Sequence, residues 1–175
     1  MSKLLDPTDM PSIPGMNLPY DFYWVTHSPA PLAGMPYPTP RTPWQELSAV
    51  GFSQVVCLTE SAPRYDPTPL ELAYAVELED LFYGEPPKEP GTEEKRVREA
   101  VSIVLEHLTA QAGVIVHCYG GRGRSGTVLG CVLRVLGHDG ATVCAYLDAV
   151  HQARSKSGWP EAPWQAQLVE SFVAD

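Results

Sequence analysis

The chain has 175 residues, 44% of them hydrophobic and 19% charged, with a formal net charge of −9. That length suits one domain with one sizeable core, and the negative balance argues against nucleic acid or an anionic membrane surface as a general partner. No apolar run approaches the roughly 20 residues of a membrane helix, and the first residues lack the layout of a signal peptide.

Residues 1–19 hold four prolines and no periodic pattern, so they read as an irregular N-terminal arm. The aromatic run Tyr20-Asp21-Phe22-Tyr23-Trp24-Val25 reads as a core-facing edge strand. Leu32-Ala33-Gly34 and a group of prolines lead into a short helix from Pro43 to Val50, closed by Gly51. Phe52 to Leu58 is a buried strand carrying Cys57, whose ordinary role there is that of a small hydrophobe. Ser61 to Pro69 is turn-rich. Leu70 to Val76 suggests a helical turn, and Val76-Glu77-Leu78-Glu79 alternates as a strand does. Asp80 to Pro90 is a polar loop. A helix begins at Thr92, with Val97, Val101, Val104, Leu105 and Leu108 at helical spacing and His107 solvated near its end. After the central motif, Ala141 to Ala153 and Pro163 to Val173 are two further amphipathic helices.

Between the helices lies His117-Cys118-Tyr119-Gly120-Gly121-Arg122-Gly123-Arg124-Ser125-Gly126-Thr127. Gly113-Val114-Ile115-Val116 before it reads as a buried strand, and Thr127 to Leu136 after it as a buried helix. A strand, a glycine-rich turn and a helix N-terminus make a cradle whose backbone N–H groups face an anion. Cys118 sits where those N–H groups and Arg124 favour the thiolate, the nucleophilic form. Arg124 offers a planar fork for two phosphoryl oxygens, and Ser125 can donate to the Cys118 sulfur as it leaves. Tyr119, Gly120, Gly121, Arg122 and Gly123 are the substrate-binding positions. Arg122 adds a cation at the rim, suited to a second negative group on the substrate or to an acid of a closing loop such as Glu79 or Glu85. His117 is the neighbour of Cys118 on a strand, so the two point to opposite faces and form no catalytic dyad. The other histidines and the four cysteines are not spaced as metal ligands. No metal and no cofactor is expected.

These residues resemble the signature of the cysteine-dependent protein-tyrosine phosphatase superfamily, His-Cys-x5-Arg-(Ser/Thr), and look most like its compact dual-specificity branch, near kinase-associated phosphatase-like proteins. The likeness extends over residues 20–173, through Leu32-Ala33-Gly34, Leu47, Gly51-Phe52, Val55-Val56-Cys57-Leu58-Thr59-Glu60 and Ser157-Gly158. It implies a catalytic domain over residues 20–175: an α/β fold with a mostly parallel sheet of four or five strands, helices on both faces, and the cradle at a strand's C-terminal end. It implies phosphomonoester hydrolysis through a phosphocysteine, on a phosphorylated protein or small molecule, in the reducing cytoplasm. The general acid falls on Asp80, with Glu85, Glu89 and Asp66 as alternatives. Gln165 matches a glutamine that orients water, His117 a residue that holds the loop by hydrogen bonds, and Arg64 and Tyr65 a loop at the mouth of the site. Rival readings are a phosphoinositide or inositol phosphate phosphatase, a phosphate-binding pseudoenzyme, and a sulfur-transfer enzyme of rhodanese type.

Overall fold

Successive side chains of a strand face opposite sides, so a short strand that is apolar throughout needs cover on both. The computed structural model, which describes residues 2–175, provides it. Strands β1 (Tyr23–Thr26), β2 (Leu32–Met35), β3 (Phe52–Cys57), β4 (Glu71–Ala75) and β5 (Gly113–His117) form one sheet in the order β1-β2-β5-β3-β4. β1 runs antiparallel to β2, and the remaining pairings are parallel. The central strand is β5, buried at every position.

Val114 and Val116 of β5 face one core, with Tyr23, Val25, Leu32 and Val56, under helices α2 (Pro90–Thr109), α3 (Gly123–Val135), α4 (Gly140–Ala153) and α5 (Pro163–Ser171). Ile115 faces the other, with Phe22, Trp24, Phe52 and Val55 beneath Leu47 of α1 (Trp44–Ala49). The α/β architecture with helices on both faces is the one the sequence predicts. No helix among the described residues is long and apolar enough to cross a membrane.

Two local expectations differ from the structure. The stretch at 70–79 is not a turn followed by a strand: the strand is Glu71–Ala75, and residues 76–79 are irregular. The amides of Val76 and Leu78 still bond to the carbonyls of Cys57 and Leu58, so β3 serves as the template and overrides the weak local pattern. Helix α3 begins at Gly123 rather than Thr127, its first turn closed by the Gly126 amide on the Arg122 carbonyl (2.8 Å). Arg124 and Ser125 therefore belong to the helix, and the glycines that suggested loop belong partly to its first turn.

Residues 2–22 contain no helix or strand but are bound to the body. The Leu5 amide donates to the Val25 carbonyl (3.0 Å) and Trp24 Nε1 to the Pro11 carbonyl (2.9 Å). Ile13 is buried against the α1 face.

Candidate active site

β5 ends at His117 and α3 starts at Gly123, so residues 118–122 turn the chain at the sheet's C-terminal edge. Cys118 lies buried at the start of that turn. Gly121 has φ +71°, and a Cβ there would stand 2.6 Å from the Met35 carbonyl; only glycine satisfies both constraints. Behind the turn, Tyr23 Oη donates to the Gly121 carbonyl (2.6 Å). Arg154 donates to the carbonyls of Gly120 (3.1 Å) and Gly121 (3.2 Å). In a trans peptide the C=O and the following N–H point oppositely, so holding these two carbonyls from behind turns the amides of Gly121 and Arg122 the other way. Burial pushes the Tyr23 phenol well up, which keeps it a donor. Tyr23 reaches its carbonyl across Gly34, where a Cβ would come within 2.3 Å of the phenol oxygen.

In front of the turn opens a cleft of about 240 Å³. Cys118, Tyr119, Gly120, Gly123 and Arg124 line it from the turn and α3; Asp80 and Phe82 come from the loop before α2, and Arg122, Lys156 and Glu161 complete it. Asp80 is exposed, with its Oδ1 accepting from the Phe82 amide (3.1 Å). Its loop is anchored just upstream: Arg124 Nη1 donates to the Leu78 carbonyl (3.4 Å), and the Glu79 amide to Glu93 Oε2 (2.6 Å). Burial raises the Glu93 carboxyl above its ordinary value. Of the four acids weighed from the sequence, Asp80 alone lines the cleft; Glu85, Glu89 and Asp66 do not.

His117 points to the opposite face from Cys118. Its Nδ1 donates to the Cys118 carbonyl (3.1 Å), which leaves Nε2 to accept from Tyr65 Oη (2.6 Å). Burial holds its pKa down to about 4, so the ring is neutral in this bonding pattern. Tyr65 is thereby committed to His117. Neither Tyr65 nor Arg64 lines the cleft.

Several expected contacts are not made. Gln165 is buried away from the cleft, where its Oε1 accepts from the amides of Glu161 (2.9 Å) and Ala162 (3.2 Å) at the start of α5. The unsatisfied amides of a helix start claim it. Gly121 sits behind the lining, engaged by Tyr23 and Arg154. The Ser125 hydroxyl is buried without a hydrogen-bond partner among the described residues, so the bond to the Cys118 sulfur is not formed. Arg122 pairs with Glu161 (Nη1 to Oε1, 3.7 Å), and its Nε donates to the Gly158 carbonyl; neither Glu79 nor Glu85 is its partner. Among the described residues no three His, Cys, Asp or Glu side chains gather as metal ligands.

The residues missed by sequence reasoning are Glu161, Lys156 and Phe82 at the cleft and Tyr23 and Arg154 behind it. Tyr23 stands in an aromatic run that signals packing, and Phe82 in a stretch that reads as a polar loop. Arg154 follows an amphipathic helix, where an arginine ordinarily faces water.

A sheet whose central strand delivers a cysteine into a glycine turn, with an arginine in the first turn of the next helix, is the frame of a Cys-x5-Arg domain. The chain belongs to the family described as the Swiss Army Knife protein DSP-PTPase phosphatase domain, whose model matches residues 19–163. It is similar to "Putative tyrosine phosphatase 067L" of Invertebrate iridescent virus 3, with 26% identity over 141 residues, 73% of this chain and 56% of that one. The chain thus spans about half the length of this viral relative. Among solved structures it resembles Tk-PTP in its active form, with 22% identity, coverage of 81% of this chain and 92% of that one, and a TM-score of 0.57. It also resembles PTPMT1 in complex with PI(5)P, with 15% identity, coverage of 81% and 88%, and a TM-score of 0.59.

Proposed function

We propose that this chain is a phosphomonoester hydrolase, a protein-tyrosine or dual-specificity phosphatase that works through a phosphocysteine. One observation carries the reading: Cys118, Arg124 and Asp80 line one cleft at the N-terminus of a buried helix. The Cys118 thiolate attacks phosphorus, and Asp80 gives its proton to the departing oxygen. Arg124 and the amides of the turn hold the equatorial oxygens as charge moves onto them. Water then hydrolyses the phosphocysteine. Thiolate and arginine supply the nucleophile and the charge stabilisation, so the reaction needs no metal. Residues 20–175 form the catalytic domain and residues 1–19 an arm upon it. The substrate is a phosphorylated protein or small molecule, met in the reducing environment of the cytoplasm that a nucleophilic thiolate requires. Family membership supports the chemistry, and the aromatic side chains of Phe82 and Tyr119 at the cleft suit the ring of phosphotyrosine.

The test is turnover of para-nitrophenyl phosphate, phosphopeptides and inositol phosphates in the presence of EDTA. The expected outcome is turnover that Cys118→Ser abolishes while the variant still binds phosphate. Activity in that variant above a few per cent of wild type overturns the nucleophile. Preference for an inositol phosphate over every phosphopeptide favours the phosphoinositide reading.

A further inference from the structure

Two carboxylates line the cleft, and they are held very differently. Asp80 is exposed and bonded only to an amide of its own loop, that of Phe82. The side chain of Glu161 is only 12% exposed and lies 3.7 Å from Arg122 Nη1. It packs on the first residue of α3, so closely that a Cβ on Gly123 would stand 2.7 Å from the Glu161 carboxyl carbon. Its own amide is pinned by Gln165 Oε1 (2.9 Å). Glu161 is thus a fixed carboxylate at the helix N-terminus where the phosphoryl group would be bound, and Asp80 is one that follows a loop.

Such a fixed group suits the second half of the reaction. Once the leaving group has departed, a water must be oriented toward phosphorus and must lose a proton as it attacks. We propose that Glu161 is the general base of this step, orienting the water and accepting its proton, while Asp80 serves the leaving group in the first. The inference rests on the phosphatase reading above. A lone pair of the water oxygen forms the new P–O bond. The P–S bond breaks, and its electron pair returns to Cys118 as thiolate. The water's proton passes to the Glu161 carboxylate and from there to solvent as inorganic phosphate departs. Burial raises the Glu161 carboxyl above its ordinary value, opposed chiefly by Arg122, which makes a more basic carboxylate than an exposed one. Gln165 keeps a part in this scheme, since it fixes the backbone of the residue that meets the water. Arg122 likewise steadies Glu161 and is engaged before any substrate arrives.

Rapid-quench kinetics with a ³²P-labelled phosphotyrosyl peptide separate the two steps. In Glu161→Gln, which keeps the shape and an acceptor for Arg122, phosphoenzyme should form within about twofold of the wild-type rate and decay about a hundredfold more slowly, the range of a lost general base. In Asp80→Asn formation should slow instead. Formate should speed decay in Glu161→Ala and leave its formation rate unchanged. Decay in Glu161→Gln within threefold of wild type overturns the assignment. So does an equal slowing of formation and decay in both Glu161 variants, which would make Glu161 a support of the cradle alone. Absence of any phosphoenzyme in wild type and variants alike overturns the phosphatase reading itself, and the base with it.

Discussion

Replacing Arg154 by methionine asks how much of the cradle depends on one buried cation. Arg154 is 2% exposed. Its guanidinium donates to the carbonyls of Pro19 and Tyr20 ahead of β1 and of Gly120 and Gly121 in the turn, and contacts His151 Nδ1. It also lies 4.9 Å from the centre of the Tyr23 ring. Methionine preserves the packing of the stem and removes every donor. An orphaned buried acceptor costs about 1–3 kcal/mol. The carbonyls of Pro19, Tyr20 and Gly120 lose their donor together while that of Gly121 keeps Tyr23 Oη, and removing the charge recovers part of the desolvation penalty of a buried ion. The net loss is on the order of 3–5 kcal/mol. For a domain of this size 1 kcal/mol shifts Tm by about 2–4 °C, so Arg154→Met should melt roughly 6–20 °C below wild type. The Gly120 carbonyl would be free to turn and that of Gly121 held by Tyr23 alone, so kcat/KM on para-nitrophenyl phosphate should fall at temperatures where the variant is still folded. Calorimetry with parallel kinetics reads both effects. A Tm within about 3 °C of wild type with unchanged kcat/KM would refute the argument that Arg154 holds the cradle.

Two other outcomes follow from the site and its surroundings. Asp80→Asn should slow esters of poor leaving groups most and remove the basic limb of the pH–rate profile; a wild-type profile on an alkyl phosphate would put the acid elsewhere. Burial holds His117 at a pKa of about 4 and His151 at about 2, whereas an unfolded histidine binds its proton near 6.5. The unfolded chain therefore takes up protons that the folded chain refuses. Stability is whole above about pH 6.5 and falls as pH drops toward 4. The urea midpoint should be lower at pH 5 than at pH 7.5, and equal midpoints would contradict the buried, neutral placement of both rings.

What could be read in advance was whatever depends on local pattern. Gly113-Val114-Ile115-Val116 followed by a glycine turn and an apolar helix has one ready solution, and the cysteine and arginine come with it. Asp80, which lines the cleft, was pointed to by the family resemblance, which puts an aspartate in the loop before the helix that leads to β5. The rest depends on distant parts of the chain. β4 is a strand because β3 offers it hydrogen bonds, and nothing local to Leu70–Val76 announces that partner. The acids first assigned to Arg122, Glu79 and Glu85, precede it in the chain about as far as its actual partner Glu161 follows it, so separation in sequence does not choose among them; the turn before α5 does, by carrying Glu161 to the cleft. Gln165 had the right spacing for the cleft but was taken by the amides of Glu161 and Ala162.

The bonds from Arg154 to Tyr20 join residues 134 apart, and those to Gly120 span 34. A chain made from its N-terminus therefore completes β5 and the glycine turn well before the residue that fastens them has been synthesised. Until α4 has formed and Arg154 has docked, the Gly120 carbonyl lacks its donor and the Gly121 carbonyl has only that of Tyr23 behind it. Contacts so far apart in sequence carry the entropy of closing a long loop and tend to be made late. On this topology the glycine turn is set in place by the sheet first and braced from behind only when both ends of the chain have met.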